Sequence, residues 1–233
     1  MLNIKVMFNL VVVTVFIVLL SSVAVASSNE KIVFLGDSLT AFADWNELFS
    51  NGNIINQGVG GDTSRDIYNR LGAVINVAPK KTSRDIYNRL GAVINVAPKK
   101  IFIMAGINDI IKGKSVEDLI LTYNKILNVL INRLPNVEIY VMSILPVNFD
   151  GEPTDIYMKY SLYINTNVIA ANEKLKQTVV QYKDKYKVKY LDIYGAFVYA
   201  GTIKLNPLFT YDGIHLTREG YVNWKQQIKR YVY

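Results

Sequence analysis

From Lys31 onward the chain alternates short β-rich apolar runs with longer amphipathic stretches, and this alternation constrains the fold more than any other feature. It is the pattern of an α/β domain with a parallel sheet, because each parallel connection needs a crossover of helix length. The spacing predicts strands over Ile32 to Leu35, Asn53 to Asn56, Ile101 to Ala105, Glu138 to Ser143 and Lys187 to Leu191. It predicts helices near Leu39 to Phe49, Ser64 to Ile75, Val116 to Leu134, Tyr163 to Tyr182 and Arg218 to Tyr231. The Val116 segment carries the plainest signal. Leu119, Tyr123, Ile126, Leu127, Val129, Leu130 and Leu134 recur at helical spacing between Ser115, an N-cap, and Pro135, a stop. The stretch Pro146 to Ile156 holds two prolines, a glycine and two aspartates and reads as an irregular loop.

With 233 residues, 51% of them hydrophobic, the chain can fill one sizeable core, and residues 27–233 read as a single domain. The first 26 residues stand apart. Lys5 is their only charge, Leu10 to Leu20 is almost wholly apolar, and Ala24-Val25-Ala26 offers an A-x-A cleavage site before Ser27. These are the parts of a cleaved secretory signal peptide, which places the mature chain in the periplasm, in the cell envelope or outside the cell. An uncleaved anchor is the competing reading, since Val6 to Ala26 approaches the ~20 residues that span a bilayer. The chain has no cysteine, so disulfides and thiolate metal sites are excluded, and export without them fits a bacterial envelope or secreted enzyme.

Cleavage would remove Lys5 and no acid, lowering the formal charge from +7 to +6. Basic residues are densest at Lys183, Lys185, Lys187 and Lys189 and at Lys225, Lys229 and Arg230. No recognised nucleic-acid motif accompanies them, so they read as solvated faces and no nucleic-acid partner is expected. Peripheral attraction to an anionic envelope stays open.

Residues Thr63 to Lys81 are repeated without a change as Thr82 to Lys100. Two identical units are too few and too similar for a stacked-repeat fold, so they read as a tandem duplication of one helix segment. Ile67, Leu71, Val74 and Ile75 of the first copy, and Ile86, Leu90, Val93 and Ile94 of the second, offer the same apolar face. One slot in a helix layer accepts one of them. The expectation is that copy one fills it and copy two is extruded, because the reverse would insert nineteen residues directly after Gly61 and Asp62.

Four short pieces carry chemistry, each at a predicted strand end or helix start. Gly36-Asp37-Ser38-Leu39-Thr40 places a serine where a strand meets a helix N-terminus, which suits a nucleophile and equally suits an N-cap. Asn56-Gln57-Gly58-Val59-Gly60-Gly61-Asp62 permits a tight turn that aims a backbone N–H at a ligand. Thr63 stands where a dinucleotide fingerprint needs its third glycine, and Asn108 stands where a Walker A motif ending in Gly113-Lys114-Ser115 needs its first. Gly106-Ile107-Asn108-Asp109 offers a side-chain amide to developing negative charge, or else a simple turn. Tyr211-Asp212-Gly213-Ile214-His215-Leu216-Thr217 holds the only histidine, with a carboxylate three residues before it. Imidazole titrates near neutrality and suits a general base, and a neighbouring carboxylate orients it.

These four pieces, in this order, resemble the blocks of the GDSL or SGNH hydrolase family, named for its Ser, Gly, Asn and His. The run from Gly36 through Trp45, Leu48 and Gly61 also resembles the catalytic subunits of intracellular platelet-activating-factor acetylhydrolases and related bacterial acyl esterases. The resemblance implies a flavodoxin-like three-layer α/β/α sandwich around a parallel sheet. It further implies a serine esterase with Ser38, Asp212 and His215 as catalytic residues, and with Ser38, Gly61 and Asn108 as the oxyanion hole. No metal or organic cofactor is implied. The expected substrate is a small-molecule, glycan or lipid ester with a short acyl group. A thioesterase would carry the same motifs, and a catalytically impaired envelope-binding protein would keep the fold if the repeat disturbed the Gly61 loop.

Overall fold

The computed structural model describes residues 30–75, 98–150, 155–183 and 186–233. Five parallel strands, β1 (Ile32–Gly36), β2 (Ile54–Gly58), β3 (Lys100–Met104), β4 (Glu138–Met142) and β5 (Val188–Leu191), form one sheet in the order β2-β1-β3-β4-β5. All five sequence-predicted strands are present, with every end within two residues of its expected place. This is the flavodoxin-like order, in which the chain reverses direction across the sheet between β1 and β3. In open α/β sheets ligands bind outside the strand C-termini at such a switch point.

Helices α1 (Ser38–Ala41) and α2 (Trp45–Phe49) follow β1, and α3 (Ser64–Ile75) follows β2. Next come α4 (Ile107–Ile111), α5 (Val116–Arg133), α6 (Asp155–Lys183) and α7 (Arg218–Val232). One layer is built from α3, α5 and α6, which pack on each other. The other holds α2 and α7, joined where the Trp45 and Trp224 rings meet edge to face at 5.1 Å. Between this second layer and the sheet runs an aromatic stack. Trp45 lies 4.2 Å from Phe34, Phe34 lies 4.9 Å from Phe102, and Phe102 lies 4.7 Å from Tyr140. Parallel register causes it, since Phe34 pairs with Phe102 and Phe102 with Tyr140, so every second side chain of three adjacent strands meets on one face. Each such pair contributes about 0.5–1.5 kcal/mol beyond its burial. Among the described residues no helix is long and apolar enough to cross a membrane.

Two predicted elements differ in form. The single helix expected over Leu39 to Phe49 is two short ones, because Asp44 caps a new start by accepting from Glu47 N–H at 2.9 Å. The carbonyls freed at the break are taken up by Asn56 Nδ2, which donates to Ala41 and Ala43, each at 3.1 Å. Helix α6 begins at Asp155, eight residues before the expected Tyr163 and inside the expected Pro146–Ile156 loop. Its buried stripe includes Ser161, Asn165, Asn172 and Thr178.

Copy one supplies α3, which is opened by Thr63 and Asp66. Thr63 N–H and hydroxyl both donate to Asp66 Oδ2, at 2.9 and 2.6 Å. Ile67 and Leu71 are buried as expected. Copy two, however, supplies the entry to β3: Lys99 N–H donates to Lys31 O at 2.9 Å, and Lys100 pairs with Ile32. The beginning of copy one and the end of copy two are thus placed in the fold, and residues 76–97 between them lie outside the described residues. The side chains of Val74, Ile75, Ile86, Leu90, Val93 and Ile94 lie outside the described residues, as do residues 1–29.

Candidate active site

Ser38 is the first residue of α1, two residues beyond the end of β1. The capping role belongs to its neighbour: Asp37 is extended and its Oδ1 accepts from Leu39 N–H at 3.0 Å. Ser38 is therefore free of that duty. Its Oγ lies 2.9 Å from His215 Nε2, and His215 Nδ1 lies 2.6 Å from Asp212 Oδ2. Partial burial raises the Asp212 carboxyl, but hydrogen bonds from the His215 ring and from the N–H groups of Ile214 and His215 outweigh it and hold the group below its ordinary value. An ionised Asp212 is acceptor only, so Nδ1 carries the hydrogen and Nε2 of the neutral ring accepts the Ser38 hydroxyl.

The loop carrying these two residues is fixed by its own backbone. Asp212 Oδ1 accepts from Ile214 N–H at 2.9 Å and from His215 N–H at 2.7 Å. Thr210 Oγ1 donates to His215 O at 2.8 Å and accepts from Gly213 N–H at 2.9 Å. Gly213 has φ +86°, and a Cβ there would stand 2.1 Å from Asn148 O. Only glycine permits both the left-handed turn and that approach. The approach is closed by Asn148 N–H, which donates to Gly213 O at 2.8 Å.

The strand exit that receives the loop is held from α6. Asn165 binds both the N–H and the carbonyl of Val147, each at 2.8 Å, and Asn172 does the same to Ile144 at 2.8 and 2.9 Å. Each side-chain amide replaces a neighbouring strand, satisfying backbone groups that burial would otherwise leave unpaired.

Gly61 takes φ +78° in the turn after β2. Four side chains fix this turn. Asn108 Nδ2 donates to Asp62 O at 3.0 Å, and Lys112 Nζ donates to Gly61 O at 3.0 Å. Arg70 donates through Nε to Asp62 Oδ2 at 2.8 Å, and through Nη2 to Gln57 O at 2.9 Å and Gly36 O at 3.2 Å. Asp109 accepts from Ser64 N–H at 2.7 Å and from its hydroxyl at 2.8 Å. Ser38, His215 and Asp212 are thus joined in one hydrogen-bonded chain, and Asn108 is joined to the Gly61 turn on the same sheet edge. Among the described residues no hydrogen bond links Gly61 or Asn108 directly to Ser38.

Three carboxyl groups under this edge are displaced upward by burial. Asp37 is pushed up to about 7 by desolvation, helped by Asp62 and Asp109 and opposed by the Leu39 hydrogen bond. Burial raises Asp62 in spite of Arg70, and raises Asp109 in spite of Ser64.

Around the His215 ring the surface is apolar. Phe42, 58% exposed, has its ring 5.2 Å away, and Tyr211, 65% exposed, has its ring 6.0 Å away. An open cleft of about 410 Å³ runs between Phe42, Leu48, Leu216 and Arg218, and another of about 470 Å³ between Phe149, Pro207, Tyr211 and Gly213. Sequence reasoning missed Arg70, Asn165 and Asn172, and gave Asp109 no role beyond a turn. The two asparagines, seven residues apart on one helix face, were the available signal.

The profile of the GDSL-like lipase/acylhydrolase family matches residues 34–222. Platelet-activating factor acetylhydrolase IB subunit alpha2 of Rattus norvegicus is 30% identical over 197 residues, covering 82% of this chain and 70% of that protein. Two solved structures share the fold. A GDSL-like lipase from Bacteroides thetaiotaomicron has TM-score 0.65 at 20% identity, covering 89% of each chain. A carbohydrate esterase family 3 protein from Talaromyces cellulolyticus has TM-score 0.61 at 20% identity, covering 87% of this chain and 96% of that one. Family profile, relative and fold agree with the motifs: this chain belongs to the GDSL-like lipase/acylhydrolase family and is a serine ester hydrolase.

Proposed function

We propose that Ser38, His215 and Asp212 hydrolyse short-acyl carboxylic esters through an acyl-enzyme on Ser38. The observation that carries this reading is the chain from Ser38 Oγ to His215 Nε2 at 2.9 Å and from His215 Nδ1 to Asp212 Oδ2 at 2.6 Å. As Ser38 Oγ attacks the ester carbonyl, His215 Nε2 takes its proton, and Asp212 stabilises the imidazolium without itself accepting a proton. The N–H groups of Ser38 and Gly61 and the amide of Asn108 hold the oxyanion, each donor contributing about 3 kcal/mol to the transition state. His215 returns the proton to the departing alcohol. Water, deprotonated by His215, then frees the acid and restores Ser38.

The preferred acyl group is acetyl, and the alcohol is a carbohydrate or a lysophospholipid. The acetylhydrolase and carbohydrate esterase named above support this choice, and Phe42 and Tyr211 give the alcohol an apolar surface beside the base. The N-terminal 26 residues direct the chain out of the cytoplasm. A panel of chromogenic esters of increasing acyl length tests the proposal: turnover falls from acetyl to longer chains, and a rate that rises with chain length contradicts it. Faster turnover of the matching acetyl thioester would assign a thioesterase instead.

A further inference from the structure

Basic side chains gather at one end of the sheet. Parallel pairing sets the strand N-termini in one row. Lys99 N–H donates to Lys31 O at 2.9 Å, Glu138 N–H to Lys99 O at 2.8 Å, and Ile139 N–H to Lys187 O at 2.9 Å. The side chains of Lys31, Lys99 and Lys187 are exposed along that row. Lys100 Nζ, donating to Tyr231 O at 2.9 Å, draws the end of α7 to the same pole with its exposed Lys229 and Arg230. Arg133 joins them from the end of α5. The described acids here are Glu30 and Glu138, together with the C-terminal carboxylate. The opposite edge, about 17 Å away across a five-residue strand, is mixed: Asp37, Asp62, Asp109 and Asp212 lie beside Ser38 together with Arg70, Lys112 and Arg218.

Helix dipoles explain Arg133, Lys229 and Arg230, which sit in last turns. They do not explain Lys31, Lys99 and Lys187, which precede strands. A second observation concerns the chain that enters here. Residues 1–29 join the domain at Glu30, on the basic pole, and Val6 to Ala26 within them is a stretch without charge, close to the ~20 residues that cross a bilayer. Tyr233, 69% exposed at the same pole, is a residue type enriched at headgroup depth.

We propose that the basic pole docks this domain on an anionic phospholipid bilayer, with the Ser38 edge turned away from the lipid. Charge complementarity selects the anionic surface, and the exposed Tyr233 among these basic residues favours a bilayer over a soluble polyanion; the uncharged N-terminal stretch adds to this in a chain that keeps it. Docking at this pole leaves the ester site open to substrates approaching from the aqueous side. Clustered basic residues gain binding energy near an anionic leaflet, and the gain vanishes beyond a Debye length.

The full chain, incubated with vesicles of phosphatidylcholine or of phosphatidylcholine enriched in phosphatidylglycerol, is expected to bind the anionic vesicles about tenfold more strongly or better. The preference disappears in about 1 M salt, where screening acts within about 3 Å. The triple variant Lys31→Glu, Arg133→Glu, Lys187→Glu loses the preference and keeps the acetyl-ester turnover of the parent. The corresponding glutamine variant serves if the charge reversal unfolds the chain. Equal binding to both vesicles, a variant that retains the preference, or tighter binding to soluble polyphosphate than to vesicles of equal phosphate content overturns the proposal. Because vesicle binding is read independently of turnover, failure of the esterase reading leaves this test intact.

Discussion

Asn108 spends one of its two amide hydrogens on the carbonyl of Asp62, at 3.0 Å. The residue thereby ties the end of β3 to the turn after β2, and the proposed mechanism assigns its second N–H to the oxyanion. Replacing Asn108 with alanine should lower kcat by about 10²- to 10³-fold with KM little changed, the signature of an interaction made only in the transition state. Steady-state kinetics on an acetyl ester check this; an unchanged kcat removes Asn108 from the oxyanion hole.

Arg70 holds the same turn from the first copy of the repeat, through Asp62 Oδ2 and the carbonyls of Gln57 and Gly36. Its removal leaves a half-buried carboxylate and two carbonyls without their cation, at a cost of about 2 kcal/mol. Arg70→Ala should lower both the unfolding midpoint and kcat. Arg89→Ala, the identical change in the second copy, should alter neither. The pair of variants reads out which copy fills the helix slot, and equal effects would mean that the two copies share it.

Gly213 separates Asp212 from His215 across a left-handed turn pressed against Asn148. Gly213→Ala combines an unfavourable φ with a 2.1 Å contact, which together destabilise by about 2–4 kcal/mol. The loop must shift to relieve it, so turnover should fall more than stability alone explains. Chemical denaturation and kcat measured on the same preparation distinguish the two effects.

Asp37 titrates far above its ordinary value of 3.8 because it is buried. A raised carboxyl favours the folded state while protonated, so its contribution is complete below about pH 4 and is lost as pH climbs towards 7. The loss is on the order of 2–4 kcal/mol. Asp37→Asn keeps an acceptor for Leu39 N–H but does not titrate. It should flatten that part of the stability profile, as urea unfolding between acid and neutral pH would show. A slope equal to that of the parent would mean that Asp37 does not carry the linkage.

Much of this architecture was legible in the residues. The central strands β1, β3 and β4 are mainly continuous apolar runs, as buried parallel strands must be, while the edge strands β2 (IINQG) and β5 (VKYL) carry polar residues, and the motifs sit where those runs stop. Ser38, Asp212 and His215 could be named because four motifs resemble, in order, the blocks of the hydrolase family, and the chain has a single histidine. What could not be read were contacts between distant residues that are not apolar. Asn165 and Asn172 look like surface positions in a linear pattern, yet they pair with backbone groups of Val147 and Ile144. Arg70 lies in a segment whose repetition obscured which copy mattered. The break between α1 and α2 was available in the Asp44 to Glu47 spacing, but the apolar period ran across it and hid the cap.

The central claim is that Ser38 is the nucleophile, and the most direct test is kcat/KM of Ser38→Ala on a chromogenic acetyl ester. Circular dichroism and thermal unfolding of the same sample establish that it is folded. Loss of at least about 10³-fold with the fold intact is the predicted result; a folded Ser38→Ala that keeps a substantial part of the parent turnover would contradict it.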